Sequence, residues 1–119
     1  MNKILVVTTN AKERANIEEI LYELVNGGVE LFMASTKEHA IEILKREVPQ
    51  LIFVDVAFMS EDEDVWTQNE AHIVLMRKKD EAMQASEDYL IKPIQADQMI
   101  EKCYHLLNLS QKSGPTLPL

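Results

Sequence analysis

Two apolar periods alternate along the chain. Lys3 to Thr8 (KILVVT) is short and β-branched, which predicts a buried strand arriving at the polar turn Thr8-Thr9-Asn10. From Ala11 the spacing becomes helical. Ile17, Ile20, Leu21, Leu24 and Val25 recur on one side, with Glu13, Arg14, Glu18, Glu19 and Glu23 on the others, so one face packs on a sheet. Asn26-Gly27-Gly28 ends that helix, and Val29 to Ala34 reads as a second strand. Ser35 or Thr36, with Glu38 close behind, starts a second helix whose inner face is Ala40, Ile41, Ile43, Leu44 and Val48. Pro49 stops it before the run Leu51-Ile52-Phe53-Val54-Asp55-Val56.

Beyond that run the pattern weakens and then resumes. Ala57 to Ala71 predicts a loop with at most a short helix. His72 to Met76 is a fourth strand, followed by a charged turn from Arg77 to Asp80; Glu81 to Ser86 is helix-prone but barely two turns long. Asp88 to Pro93 is a fifth short strand, and Ala96 to Leu109 a last helix with Met99, Ile100, Cys103, Leu106 and Leu107 inward. Strands alternating with helices predict an α/β fold, a parallel sheet covered on both faces. One domain over residues 1–109 accounts for the pattern. Residues 110–119, with Gly114, Pro115 and Pro118, read as a flexible tail or the start of a linker, leaving room for a C-terminal output domain.

Composition narrows the classes. The single Cys103 rules out a disulfide within the chain, and ordinary usage elsewhere suits a reducing, cytoplasmic setting. No stretch approaches the roughly twenty apolar residues of a membrane span, and MNKILVVTTN lacks the apolar core of a signal peptide. A net charge of −8 repels nucleic-acid phosphates and anionic membranes, so the expected partner is another protein, or a second copy. His39, His72 and His105 share no ligand-like spacing with Cys103, and the acidic run Glu61 to Asp64 lacks the glycine and spaced oxygens of a calcium loop. No metal site is expected. Nothing resembles a serine or cysteine nucleophile with its base, so no enzyme activity is expected.

Asp55 is the conspicuous residue. An apolar run buried on both faces places its one carboxylate at the C-terminal edge of the sheet, where open α/β sheets bind ligands. A carboxylate capping the following loop would occupy the same position.

KILVVTTN, PQLIFVDVAFM and DYLIKPI together resemble the response-regulator receiver domain (CheY-like), over residues 3 to 109. The resemblance implies a flavodoxin-like, doubly wound sheet of five parallel strands, order 2-1-3-4-5, with Asp55 at the phosphoacceptor position and Lys92 at the lysine that pairs with the phosphoryl group. Departures from the family pattern are specific. Thr8 and Thr9 stand where the family has the acidic pair that holds Mg²⁺, and hydroxyls do not replace carboxylates for so hard a cation, so Mg²⁺ binding is expected to be weak or lost. Arg77 replaces the small hydroxyl residue that senses phosphate; it either pairs with Asp55 or points to solvent. Tyr89 keeps the switch aromatic without its hydroxyl partner. The segments between Asp55 and Arg77, and between Arg77 and Lys92, are each about seven residues short, so the family's third and fourth helices should be truncated or absent.

Three functions are compatible with these residues. The first is a pseudo-receiver acting as a protein-interaction module. The second is a receiver still phosphorylated on Asp55 by a histidine kinase, and the third a small-molecule sensor using the vacated pocket near Thr8, Thr9 and Asp55. For the first, Phe58, Met59, Val65 and Trp66 around the acidic run form the expected interaction surface, unless Trp66 folds back over the sheet.

Overall fold

A computed structural model describes residues 2–59, 71–78 and 88–108. Its elements run β1 (Lys3–Val7), α1 (Ala11–Ile20), α2 (Tyr22–Asn26), β2 (Glu30–Ala34), α3 (Lys37–Glu47), β3 (Leu51–Asp55), a 3-10 turn (Val56–Met59), β4 (His72–Arg77), β5 (Tyr89–Ile91) and α4 (Ala96–Leu106). The five strands form one parallel sheet in the order β2-β1-β3-β4-β5. That is the expected flavodoxin-like order. Residues 60–70 and 79–87, where the family's third and fourth helices were expected to be truncated or absent, lie outside the described residues, as do Val65, Trp66 and residues 110–119.

The strands are apolar on both sides because each side carries its own core. Ile4, Val6, Leu51, Phe53, Val74, Met76 and Leu90 face one way, onto Ile17, Leu21 and Leu24 of the first helical stretch and Met99 and Cys103 of α4. Leu5, Val7, Ile52, Val54 and Leu75 face the other, onto Ala40 and Ile43 of α3. Each fully buried branched or aromatic side chain contributes about 1.5–3 kcal/mol, so β1 and β3, buried along almost their whole length, anchor the domain.

The predicted helix from Ala11 is realised as two segments meeting at Leu21. The i to i−4 bonds continue through it: Leu21 N donates to Ile17 O at 2.9 Å and Val25 N to Leu21 O at 3.0 Å. Asn10 caps α1, its side chain accepting from the backbones of Lys12 and Glu13. Gly28, at φ +114, makes the turn into β2. Thr36 caps α3 through the His39 amide. Val25 and Val48, expected on inner faces, are exposed, because both sit where a helix ends and the chain turns away. Val48 is also left-handed, at φ 51 and ψ 64.

Candidate functional site

Parallel pairing brings the C-terminal ends of β1, β3 and β5 to one edge, and three loops carry the polar side chains that meet there. Asp55 is the last residue of β3. One of its oxygens accepts from the Ala57 amide at 2.9 Å, as a loop-capping carboxylate would. The other accepts from the Lys92 ammonium, just beyond β5. Asp55 and Lys92 thus meet although 37 residues apart in sequence.

Sequence spacing did not single out Glu13. In the first turn of α1, its carboxylate turns back over the end of β1, where Oε2 lies 3.1 Å from Lys92 Nζ and Oε1 accepts from the Thr8 hydroxyl at 2.9 Å. Thr8 is fully buried, and its oxygen in turn accepts from Asn10 N at 3.3 Å. Its carbonyl accepts from Arg14 Nη1 at 2.7 Å. The result is one hydrogen-bonded chain: Asn10 N–H to Thr8, Thr8 O–H to Glu13, Lys92 to both Glu13 and Asp55, and Ala57 N–H to Asp55. Every carboxylate oxygen in it already has a donor. The side chains of Lys92, Asp55 and Glu13 are only 14%, 16% and 19% exposed, so solvent screens these pairs weakly. Burial by itself pulls the Lys92 ammonium down, but the hydrogen bonds it donates to Asp55 and Glu13, with their charges, outweigh it and raise its pKa above the usual lysine value.

Thr9 is exposed and stands outside this chain. Arg77 takes neither course expected of it. It extends β4, and its guanidinium lies over the Tyr89 ring, 4.7 Å from the centroid. The register explains this: Tyr89 is level with Leu75 and Ile91 with Arg77, so Arg77 and Tyr89 are diagonal neighbours on one face of the sheet. Lys92, not Arg77, pairs with Asp55. Phe58 is half-buried against the core on the α3 side. A cavity of about 650 Å³ between β5 and α4 is lined by Asp88, Tyr89, Gln98, Glu101, Lys102 and His105; Thr8, Thr9 and Asp55 do not line it. His39, His72 and His105 are exposed on separate elements.

No protein-family model matches the chain, and no curated protein matches it. Solved structures do. A two-component transcriptional regulator AraC from Clostridium phytofermentans superposes with a TM-score of 0.76 at 14% identity, covering 92% of this chain and 94% of that one. A response regulator receiver protein from Burkholderia phymatum gives 0.72 at 16%, covering 94% and 99%. A co-crystal structure of the Saccharomyces cerevisiae histidine phosphotransfer signaling protein Ypd1 with the receiver domain of its downstream response regulator Ssk1 gives 0.68 at 18%, covering 88% of each chain. The fold is that of response-regulator receiver domains.

Proposed function

We propose that the chain is a degenerate receiver, a pseudo-receiver, which serves two-component-type signalling as a protein-interaction module without Mg²⁺-dependent phosphorylation of Asp55. The observation that carries this reading is the double engagement of Lys92 by Asp55 and Glu13. Phosphoryl transfer to a carboxylate depends on cations that neutralise the transferred oxygens, and here the lysine's charge is already divided between two carboxylates.

The donor set does not fit a hydrated Mg²⁺. That ion takes carboxylates and waters in near-octahedral array, whereas each oxygen of Glu13 and Asp55 has a hydrogen-bond donor and the Thr8 hydroxyl is directed at Glu13. Among the described residues no group of three His, Cys, Asp or Glu side chains could hold a metal.

As an interaction module the domain would meet a protein partner or a second copy. The net charge of −8 favours a basic partner surface. Phe58, Met59, Val65 and Trp66 remain the proposed contact residues, with Phe58 contributing only the part of its ring that the core leaves uncovered. One observation favours the phosphorylatable alternative: Asp55 and Lys92 stand together at the sheet edge as the family resemblance implies.

Adding millimolar Mg²⁺ with a beryllofluoride phosphate mimic to isotope-labelled protein decides between the two. We expect the amide signals of Asp55, Lys92 and Tyr89 to stay in place. Saturable shifts at these residues would overturn the pseudo-receiver reading in favour of phosphorylation.

A further inference from the structure

We propose that Lys92 is the resident cation of the site: its ammonium, fixed between Glu13 and Asp55, supplies in tethered form the charge those carboxylates require, and a divalent ion enters only if it is removed. This rests on the pseudo-receiver reading and assigns a cation to the two acids that converge at the sheet edge.

The geometry supports the assignment from both sides. Glu13 comes from α1 and Asp55 from β3, and what they share is the Lys92 ammonium, within ion-pair distance of both. Thr8 and the Ala57 amide satisfy the oxygens that face away from the lysine. All three charged side chains are largely shielded from water, so without Lys92 two carboxylates would face each other in a partly buried site. Like charges repel strongly where water is largely excluded, and a divalent ion would relieve that repulsion.

Mn²⁺ is the probe, read on the full chain by paramagnetic broadening of amide signals from Asn10 to Arg14 and from Asp55 to Ala57. Wild-type protein should show no broadening there. Lys92→Met should show it, with apparent affinity tighter by about tenfold or more, and adding Glu13→Gln should abolish the gain. Lys92→Arg, which keeps the charge, should stay silent. Should Lys92→Met not fold, Lys92→Gln carries the same expectation.

Equal silence in wild type and in the neutral Lys92 variants would overturn the resident-cation assignment and leave the pseudo-receiver reading intact. Broadening of the wild type at these residues as strong as that of Lys92→Met would overturn both. A gain that survives Glu13→Gln would also overturn the assignment, since Glu13 would then not belong to the charge set.

Discussion

Single side chains at the sheet edge behave as a set. Asp55→Ala removes one of the two anions held by Lys92, and the ammonium keeps Glu13 at 3.1 Å. The loss should therefore be modest, about 1 kcal/mol by urea denaturation, the scale of a hydrogen bond whose partner is not stranded. Removing Glu13 as well strands the ammonium. Glu13→Ala with Asp55→Ala should cost clearly more than the two single changes added together, at about 3 kcal/mol in total. Additive losses would mean that the three groups do not share one charge balance. Asp55 was legible in the sequence because it ends a recognisable apolar run, and Lys92 because DYLIKPI resembles the end of the family's fifth strand. Glu13 was not, since on a helix rich in glutamate nothing in the spacing distinguishes the acid that turns inward from those left in solvent. Arg77 was misjudged for a different reason: its stacking on Tyr89 depends on strand register, which is set by pairing between β4 and β5 and cannot be read from either strand alone.

At the level of elements, strand positions followed directly from the apolar runs, while the ends of elements shifted by a few residues. Polar and charged residues can extend a strand when a neighbour supplies the ladder. Arg77 does so, its carbonyl accepting from Lys92 N at 2.8 Å. Helix ends were harder. The α3 helix stops one residue earlier than its apolar pattern suggests, on Val48 in the left-handed region, where a β-branched residue is strained. Val48 is 62% exposed, so little packing is lost by changing it. Val48→Gly should stabilise the domain by about 0.5–1 kcal/mol, seen as a higher urea midpoint with an unchanged slope, despite the extra freedom glycine gives the unfolded chain.

For the whole molecule, titration separates the site from the rest. Lys92 has a raised folded pKa, so its contribution is fully present below the unfolded value of about 10.4 and is lost only as pH rises through the higher folded value. Glu47 works in the opposite sense: hydrogen bonds from Lys3 and Arg46 lower its pKa, and its contribution is lost as pH falls through that lowered value. Burial also pushes the Cys103 thiol up to about 12, so its contribution is lost as pH rises past the unfolded thiol value of about 8.5. Urea midpoints should therefore fall in two alkaline stages, of which Lys92→Met removes only the one above about pH 10.4. A parallel sheet was predictable from the alternation of strands and helices, whereas its order came only with the family resemblance carried by KILVVTTN, PQLIFVDVAFM and DYLIKPI.

That order also fixes what lies between the two ends of the ion pair. Lys92 follows β5, an edge strand of three residues, and Asp55 ends β3, so the pair bridges over β4 to a strand that β5 never touches. A short edge ribbon is ordinarily the first part of a sheet to fray. Here its free end is moored two strands inboard, so peeling β5 away requires breaking a charge contact to the centre of the sheet as well as a few backbone bonds.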